Sequence, residues 1–367
     1  MKKIKILSIV NAVFGYDGIS SVVKNYYLYQ NKDNIAMDIM TINEIPMSFK
    51  EVIERDGNNH YVLATRNKNP IEYVYELKKV IEKNKYDIVH VHGNSATMVL
   101  ELMAAKIAGC KIRIAHSHNT KCNHPIINRL LMPLFSVLYT HCCACSVEAG
   151  KFLFGNNECY IVNNGLYFPK YTFTEVIREQ VRAECKIEKS MVLGHIGRFS
   201  YQKNQEFLIK LLKEIVSQGI DVKLLLVGEG ETFKEVRGLA EEYKLLEHIV
   251  FYGTTDKVNE VLQAMDCFVF PSRFEGLGIV AIEAQAAGLT CVVSDQVPQI
   301  VDINKKTKFL SLKDPISNWV TAVVEVKGCP HERKESINMT KKQLADAGFD
   351  IIKNCEEIYE YYKKILK

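Results

Sequence analysis

The sequence has little excess charge of either sign and no apolar run long enough to cross a membrane. Its 47 Lys and Arg residues against 43 Asp and Glu residues give a net charge of +4, which is too mild to indicate a nucleic-acid partner. The most apolar internal stretch, Leu130–Tyr139, is about half the length of a membrane span and contains Pro133. The amino-terminal apolar segment lacks a small-residue cleavage site and predicts a first β-strand rather than a signal peptide. We therefore expect a cytoplasmic protein.

The sequence also lacks a disulfide framework and paired zinc-type cysteines. Eleven cysteines are spread over 367 residues, which does not indicate a scaffold held by disulfides. Cys122 with His124, and the run from His141 to Cys145, form irregular groups without the repeated C-x₂₋₄-C spacing of zinc sites. We interpret these cysteines as small buried apolar residues in a reducing compartment.

No segment is compositionally biased, so the chain is expected to fold throughout, and its length indicates about two domains. Short apolar runs alternate with amphipathic segments, as is typical of parallel sheets covered by helices on both faces. The predicted strands are Ile4–Val10, Ala36–Thr41, Asp87–His92, Lys111–His116, Cys142–Ser146, Met191–Ile196, Val222–Val227, His248–Tyr252, Cys267–Pro271 and Thr290–Val293. The predicted helices are Ile19–Tyr29, Ile71–Lys83, Thr97–Ile107, Ile126–Tyr139, Gln205–Gln218, Thr232–Tyr243, Asp256–Met265 and Gly278–Ala287.

These elements form two sets, separated by a charged and weakly patterned region between Asn164 and Ser190. We predict an α/β protein with two doubly wound parallel-sheet domains, residues 1–167 and 168–349. The last segment, residues 350–367, is predicted to be a helix that docks on another element. Its apolar residues recur at helical spacing: Ile352, Cys355, Tyr359, Tyr362 and Leu366.

Two H-x-H pairs stand at the predicted ends of neighbouring strands. His90 and His92 end one strand, His116 and His118 end the next, and residues two apart share one strand face. A metal site is one interpretation, but no carboxylate or cysteine follows at ligand spacing. We favour contact between a strand-end histidine and a bound substrate, with His90 and His116 as hydrogen-bonded core residues.

Glycines follow two of the predicted strands. The segment GYDG that ends at Gly18 is not the G-x-G-x-x-G pattern of dinucleotide-binding folds, but it allows an anion to approach a helix start. A tight turn is the alternative interpretation. Gly228 and Gly230 would likewise let a ring or a phosphate approach the backbone, although a single G-x-G has little specificity.

Two cations stand between a strand and the helix that follows it. Arg198 and Lys203 are five residues apart, and a guanidinium with an ammonium at a helix start can hold a diphosphate. No D-x-D, the common way of holding a metal-bound nucleotide diphosphate, occurs in the chain. The charge of a leaving diphosphate would therefore be met by these two residues and by helix N-termini, without a metal cofactor.

The most informative segment runs from Pro271 to Ala284. A strand ends, a glycine-containing loop carries Glu275, and a helix starts near Gly278. Glu283 lies in an apolar part of that helix, where burial of a carboxylate costs several kcal/mol unless it is hydrogen-bonded. A pair of ligand hydroxyls, such as those of a ribose, would satisfy it, and a neighbouring side chain is the alternative partner.

These motifs resemble the GT-B retaining glycosyltransferases of family GT4, and among them the bacterial enzymes of capsule and exopolysaccharide assembly. The resemblance covers nearly the whole chain. Its most specific part is the E-x₇-E motif, EGLGIVAIE from Glu275 to Glu283, followed by AQAAGLTCVVSD. Supporting segments are GRFSYQKN, VNNG, LLLVGEGE, FYGTTDKV, VHVHGN and RIAHSHNT.

The resemblance implies two Rossmann-like domains that face each other across a cleft, with the helix of residues 350–367 returning to the first. The second domain would bind the nucleotide-sugar donor, and the first would bind the acceptor. The implied catalytic residues are His118 and Glu275, both near the donor sugar. The implied donor-binding residues are Gly18, Arg198, Lys203, Gly228, Gly276, Leu277, Gly278, Ile279 and Glu283. Asp17 stands where the family has the first glycine of the loop that ends at Gly18, and Gln299 stands where many relatives have a glutamate.

The implied reaction transfers a sugar with retention from a nucleotide diphosphate sugar, with uridine as the expected base, to a glycan or lipid-linked acceptor. A same-face attack is favoured, because Glu275 and Glu283 are poorly spaced to flank one bond as paired glycosidase carboxylates do. A lipid-linked acceptor makes a peripheral contact with the inner face of the cell membrane an expectation. The candidate residues for that contact are the helix Ile126–Tyr139 with Arg129, and Lys111, Arg113 and Lys121, although such an apolar stripe is more often core.

Two other functions are compatible with these motifs. A UDP-sugar epimerase of the same fold would turn over the donor without an acceptor, whereas a lysine motif for the pyridoxal cofactor of a phosphorylase is not apparent. A non-catalytic protein that senses a nucleotide-sugar is the alternative of a different class. The joint presence of Arg198, Lys203, Glu275 and Glu283 argues against it, because binding alone does not require all four.

Overall fold

Two α/β units make up the chain. The computed structural model describes residues 3–15, 18–122, 124–187, 189–326 and 330–367. The first unit contains Met1–Gly165 and Asp350–Lys367, and the second contains Leu166–Phe349.

The first unit is built on a seven-stranded parallel sheet with the order β3-β2-β1-β4-β5-β6-β7. Its central strands are largely buried on both faces, so most of their residues are apolar and the polar ones among them, such as His90 and His92, are buried too. The strands are β1 (Ile4–Val10), β2 (Ile35–Thr41), β3 (His60–Val62), β4 (Ile88–Gly93), β5 (Ile112–Ser117), β6 (His141–Ala144) and β7 (Tyr160–Ile161). The helices of this unit are α1 (Gly18–Tyr29), α2 (Met47–Arg55), α3 (Pro70–Asn84), α4 (Val99–Ile107), α5 (Pro125–Ser136), α6 (Val147–Phe154) and α14 (Ile351–Ile365).

The second unit has a six-stranded parallel sheet with the order β10-β9-β8-β11-β12-β13. Its strands are β8 (Met191–Ile196), β9 (Val222–Val227), β10 (Ile249–Gly253), β11 (Cys267–Phe270), β12 (Thr290–Ser294) and β13 (Lys308–Leu310). Its helices are α7 (Glu175–Cys185), α8 (Gln205–Ser217), α9 (Phe233–Glu242), α10 (Val258–Ala264), α11 (Ile279–Ala286), α12 (Ile316–Val324) and α13 (Pro330–Asp346). Two doubly wound parallel sheets confirm the predicted fold class.

The ten predicted strands are all present, with ends shifted by at most two residues. Three further strands, β3, β7 and β13, have two or three residues each and lie at sheet edges. A short edge strand pairs on one side only, so it does not require the continuous apolar run by which the inner strands are recognised. The helices that the sequence did not predict are α2, α6, α7, α12 and α13.

The carboxyl-terminal helix α14 belongs to the first unit. Its buried residues are Ile351, Asn354, Cys355, Ile358 and Tyr362. The predicted stripe is therefore wrong at both ends, because Ile352 and Leu366 are exposed. The side chains of Cys355 and Tyr362 reach Tyr26 in α1 and His90 in β4, so the helix packs on the unit where the chain begins.

Two cysteines differ from their predicted role. Cys142 and Cys159 form a disulfide, with their Cα atoms 4.9 Å apart. The interpretation of the cysteines as small apolar side chains is therefore wrong for this pair. It is confirmed for Cys143 and Cys145, which are free and buried.

An ion-pair network holds α7 against the start of β11 in the second unit. The carboxylate of Asp266 accepts hydrogen bonds from Arg178, from Arg182 at 2.6 Å and from the backbone N–H of Val192 at 2.8 Å. The neighbouring Arg333 is buried among backbone carbonyls. Both oxygens of Asp266 are thus satisfied, as a buried carboxylate requires.

In the described part of the chain, every helix is too short or too polar to span a membrane.

Candidate active site

The loops after β8, β9 and β11 lie side by side, because these three strands are neighbours in the sheet of the second unit. They follow the carboxyl ends of the strands, where ligands of open α/β sheets bind. Lys203 lies in the first loop and Glu275 in the third. The predicted donor-binding residues of this unit are thus brought to one edge of the sheet.

Lys203 and Glu275 form an ion pair. The Nζ atom of Lys203 lies 2.7 Å from Oε1 of Glu275 and 4.6 Å from the ring centroid of Phe270. The side chains of the pair are 18% and 7% exposed, so both charges are largely removed from water. A cation in such a place attracts an anion more strongly than one on the open surface, because solvent screens it less.

Hydrogen bonds fix the loop of Lys203 against the loop of Glu275. The side-chain amide of Asn204 donates to the carbonyl of Pro271 at 3.0 Å, and that of Gln202 donates to the carbonyl of Phe274 at 3.0 Å. The backbone N–H of Arg273 donates in turn to the carbonyl of Gln202 at 2.8 Å. These hydrogen bonds hold the two loops together and thereby fix the positions of Lys203 and Glu275.

Arg198 differs from Lys203 in its surroundings. Its side chain is 72% exposed, and its Nε donates to Oε2 of Glu231 at 3.0 Å. The two cations predicted to act as one clamp are thus each paired with a different carboxylate in the free protein. An exposed pair of this kind contributes little to stability, so Arg198 can exchange Glu231 for another anion at low cost.

Neighbouring backbone leaves no room for a side chain at Gly228 or Gly230. A Cβ atom at Gly228 would lie 2.2 Å from the carbonyl oxygen of Gly197, and one at Gly230 would lie 2.2 Å from that of Phe199. Gly228 also has φ +132°, which residues with a side chain rarely adopt. From the sequence, this G-x-G is expected to admit a ligand, whereas the structure shows that the close approach of the loop after β8 requires both glycines.

Glu283 lies on α11 and has a protein partner. The hydroxyl of Tyr171 donates to its Oε1 at 2.9 Å. Desolvation raises the pKa of Glu283 to about 7, although the tyrosine hydrogen bond acts in the opposite direction. At neutral pH the carboxyl group is therefore poised between its protonated and ionised forms. The predicted alternative, a neighbouring side chain as partner, is the arrangement found in the free protein.

The start of α11 offers backbone donors next to these side chains. Gly278 precedes the helix with φ +83°, and a Cβ atom there would lie 3.3 Å from both Phe270 and Val297. The first N–H groups of a helix lack intrahelical acceptors and attract anions. The predicted residues Gly276, Leu277 and Ile279 belong to this same turn.

Two predicted site residues belong to the first unit. Gly18 is the first residue of α1 and is exposed, whereas Asp17 lies outside the described residues. His118 follows β5, and its Nε2 lies 3.0 Å from Nδ1 of His92. Desolvation lowers the pKa of His118 to about 3, so its imidazole is neutral at physiological pH.

Sequence reasoning missed three partners in this site. They are Tyr171, which holds Glu283, Glu231, which holds Arg198, and Phe270, which lies beneath Lys203. The hydrophobic run of β11 predicted burial of Phe270 but not its contact with a cation. Tyr171 carries no local signal, because 112 residues separate it from Glu283.

The two doubly wound sheets and the loops after β8, β9 and β11 define the GT-B class of glycosyltransferase folds. A solved structure of HepE from Anabaena in complex with UDP-glucose has the same fold, with a TM-score of 0.80 at 17% sequence identity over 98% of this chain and 99% of that one. The family profile described as glycosyl transferases group 1 matches residues 176–343, which include every site residue of the second unit named above except Tyr171.

Two relatives extend the match to the first unit. The EpsF protein of Bacillus subtilis (strain 168) is 31% identical over 361 residues, which cover 94% of this chain and 93% of EpsF. The UDP-Gal:alpha-D-GlcNAc-diphosphoundecaprenol alpha-1,3-galactosyltransferase of Escherichia coli is 26% identical over 78% of this chain and 77% of that enzyme. The chain belongs to the group 1 glycosyltransferases.

Proposed function

We propose that this glycosyltransferase moves a sugar, with retention of anomeric configuration, from a UDP-sugar to a glycan or lipid-linked acceptor in the synthesis of a capsular, extracellular or related cell-surface polysaccharide. The observation that carries the proposal is the juxtaposition of Lys203, Glu275 and the start of α11, with Glu283 on that helix. Cation, helix N-terminus and carboxylate are the groups that a diphosphate and a ribose require.

The diphosphate is assigned to Lys203, Arg198 and the backbone N–H groups of residues 276–279. In the free protein both cations are held by carboxylates, at 2.7 Å and 3.0 Å, and the incoming diphosphate replaces these partners. The two positive charges and the helix start then stabilise the leaving UDP as its charge develops. These groups supply that stabilisation without a divalent ion, so we propose that addition of Mg²⁺ or Mn²⁺ does not raise the activity.

The ribose is assigned to Glu283. Its carboxylate can accept two hydrogen bonds, whereas Tyr171 supplies one in the free protein. Two ribose hydroxyls therefore satisfy the ionised form better than the tyrosine alone does. This role accounts for a carboxyl group on a largely apolar helix, where its burial raises the cost of folding.

The donor sugar is assigned to Glu275 and His118, and the acceptor to the first unit. Once the diphosphate has taken Lys203, the carboxylate of Glu275 is free to accept hydrogen bonds from sugar hydroxyls. The neutral imidazole of His118 can donate or accept a hydrogen bond as its tautomer allows. A same-face attack in which the leaving phosphate takes the acceptor's proton needs no protein nucleophile, and it yields retention.

Two relatives support the donor and acceptor classes. HepE was solved with UDP-glucose, and the Escherichia coli enzyme is named for a UDP-Gal donor and a diphosphoundecaprenol-linked acceptor. These ligands and substrates are those of HepE and of the Escherichia coli enzyme. For this chain they make UDP the first base to test and a polyprenol diphosphate sugar the first acceptor. Such an acceptor would place the reaction at the cytoplasmic face of the cell membrane.

A panel of nucleotide-sugars tests the donor. The bound donor raises the melting temperature by mass action, by an amount that corresponds to about 2.7 kcal/mol at a hundredfold excess over Kd. We expect a UDP-sugar to give the largest shift, and Lys203→Gln and Glu283→Gln to reduce it. A larger shift with a guanosine or adenosine nucleotide-sugar would contradict the choice of base.

The reaction products separate transfer from the two alternatives. Transfer releases UDP only when an acceptor is present and gives a product with the donor's anomeric configuration, which NMR reports. An epimerase would convert the donor without any acceptor. A binding protein would give the thermal shift but release no UDP with any acceptor tried.

Helix α5 supports a peripheral membrane contact for the lipid-linked acceptor. Its buried face holds Phe135, but a second apolar face is open to solvent. Four large apolar residues are exposed there and a fifth directly follows the helix: Ile126, Ile127, Leu130, Leu134 and Val137. Arg129 is exposed beside them, whereas Arg113 donates to the carbonyls of Cys110 and Leu138 and is less available than the sequence analysis expected.

A vesicle flotation assay tests this contact. We expect the protein to float with vesicles that contain phosphatidylglycerol, and the double variant Ile126→Ser/Leu130→Ser to stay at the bottom of the gradient. Ile71→Ser, at an isoleucine that is 84% exposed on α3, is the matched control and should float like the wild type. Flotation that is unchanged by the double variant would contradict a contact through α5.

A further inference from the structure

Three buried histidines converge in the first unit, at the carboxyl end of its sheet. His90 and His92 lie on one face of β4, and His116 on β5 pairs with His92 in the parallel register. They are 2%, 6% and 1% exposed, respectively. The spacing of the sequence predicted buried, hydrogen-bonded rings at His90 and His116, and the structure confirms this. The sequence could not show that the three rings meet.

Ring nitrogens of these histidines lie close enough to share one ion. One nitrogen from each of the three rings can be chosen so that all three lie within 4.8 Å of one another. The rings of His90 and His116 are also hydrogen-bonded to each other, with Nε2 of His90 3.1 Å from Nδ1 of His116. Two nitrogens bound to a tetrahedral Zn²⁺ at about 2.0–2.1 Å are about 3.3 Å apart. The widest pair would therefore have to close by about 1.5 Å when the ion binds.

A small cavity adjoins the three rings. Its volume is about 20 Å³, which is room for one water molecule or one ion. Besides the histidines, the cavity is lined by three residues with hydroxyl groups and by four apolar ones: Ser8, Tyr26, Tyr362, Val23, Met37, Val162 and Ile358. Nε2 of His116 is buried and lacks a hydrogen-bond partner in the structure. A buried ring nitrogen of this kind costs about 1–3 kcal/mol when it stays unpaired, so a partner at this nitrogen, such as an ion, would be stabilising.

A neutral imidazole binds a metal ion through the ring nitrogen that carries no proton. Partners outside the cluster orient two of the rings, because Tyr362 Oη lies 2.9 Å from Nδ1 of His90 and His118 lies 3.0 Å from Nδ1 of His92. Such outer contacts are usual around metal-binding histidines.

We propose that His90, His92 and His116 bind one divalent transition-metal ion of the zinc class. Three nitrogen ligands without a carboxylate suit Zn²⁺, Co²⁺ or Ni²⁺ and disfavour Mg²⁺ and Ca²⁺, which prefer oxygen. The ion would tie β4 to β5 and, through His92, fix the ring of His118. All three ligands belong to the first unit, and the proposal uses none of the diphosphate-binding groups, so it does not depend on the proposed function.

Metal titration of the full-length protein tests the proposal. The protein, purified without a polyhistidine tag and stripped with a chelator that is then removed, is titrated with Co²⁺ and with Zn²⁺. We expect one ion per chain, a visible Co²⁺ spectrum of low coordination number that Zn²⁺ abolishes, and a higher melting temperature. Mg²⁺ should neither abolish the Co²⁺ spectrum nor raise the melting temperature. Absence of stoichiometric Zn²⁺ and Co²⁺ binding to the wild type would overturn the site.

Variants identify the ligands. His90→Gln/His116→Gln should weaken Co²⁺ binding by more than the roughly 10–100-fold that loss of an outer partner costs. His141→Gln, at a partly exposed histidine of the same sheet, should bind Co²⁺ like the wild type. Circular dichroism establishes that each variant folds, and the single variant His92→Gln replaces the double one if that fails. Unchanged Co²⁺ affinity in a folded variant would overturn the assignment.

Discussion

The hydroxyl of Tyr171 donates a hydrogen bond to the carboxylate of Glu283 at 2.9 Å. The tyrosine lies near the start of the second unit, and the glutamate lies on α11. The contact therefore joins segments that are far apart in sequence. The contact keeps the carboxyl group satisfied while its surroundings raise its pKa to about 7. The free protein therefore holds a group whose ionisation a ligand can change near neutral pH.

Binding of UDP is expected to be coupled to proton release from Glu283. Ribose hydroxyls donate to the ionised carboxylate, so the ligand lowers the pKa of Glu283 and binds better as pH rises through 7. At one pH unit below that pKa about a tenth of the carboxyl groups are ionised, so the affinity should fall about tenfold between pH 8 and pH 6. Calorimetric titration in buffers of different ionisation enthalpy measures both the affinity and the protons released.

Glu283→Gln is the control for this coupling, because UDP has a phosphate that also titrates near pH 6. The variant should bind UDP more weakly at pH 8 and keep only the shallow pH dependence that the phosphate imposes. An equal pH dependence in wild type and variant would exclude Glu283 as the titrating group.

Substitutions of Lys203 and of Glu275 should affect substrate binding and turnover differently. Lys203→Gln removes a cation from the diphosphate, and we expect the Kd for UDP to rise at least tenfold, which corresponds to about 1.4 kcal/mol. Glu275→Gln leaves Lys203 without its carboxylate, so UDP should bind as well or better, whereas kcat should fall about a hundredfold or more. Calorimetry and steady-state kinetics measure the two effects.

Lys257→Gln is the matched control, because Lys257 forms an exposed pair with Glu260 at 3.4 Å in the same unit. It should change neither the Kd for UDP nor kcat. If Glu275→Gln weakens UDP binding as much as Lys203→Gln does, the pair serves to shape the loops rather than to exchange partners.

Gly228→Ala should damage the donor loops. The new Cβ would lie 2.2 Å from the carbonyl oxygen of Gly197 at a φ of +132°, so the backbone before Arg198 must move. We expect a loss of about 1–3 kcal/mol in the free energy of unfolding and weaker UDP binding. Gly238→Ala lies within α9 with open space around it, and it should instead stabilise the fold by about 0.5–1 kcal/mol. Urea unfolding that ranks the two variants in the opposite order would refute this account.

Asp266→Asn should destabilise the second unit. The change leaves Arg178 and Arg182 buried without a counter-charge, a loss that costs about 3–5 kcal/mol at buried pairs. Trp319, the single tryptophan of the chain, is fully buried in this unit, so its fluorescence in urea reports the unfolding of this unit. Arg237→Gln, which breaks an exposed pair with Glu241, should shift the free energy of unfolding by less than about 0.5 kcal/mol. Equal urea midpoints for the two variants would contradict the role of Asp266.

Much of the fold could be predicted because its strands are long apolar runs. The run Leu224–Val227 is buried on both sides, and such runs can be recognised locally. Helix α7 could not, since five of its eleven residues are charged and its place depends on Asp266, more than 80 residues away. Glu275 and Glu283 were found because their motif lies within one loop and the helix that follows it.

The pairing of the site residues could not be predicted in the same way. Lys203 and Glu275 are 72 residues apart, and which cation meets which carboxylate follows from the adjacency of β8 and β11 in the sheet. The sequence joined Lys203 to Arg198, its neighbour along the chain. In the free protein the two side chains pair with different carboxylates, because the loops after β9 and β11 bring Glu231 and Glu275 to them separately.

Local patterns in the sequence therefore determined the class of the fold, the order of its main elements and the residue types available for chemistry. Apolar periodicity and glycine position act over a few residues, so they can be recognised without the fold. Only the tertiary structure decided that Tyr171 meets Glu283 and that His90, His92 and His116 meet one another. These contacts depend on strand order and crossover geometry, which bring together side chains that no local pattern relates.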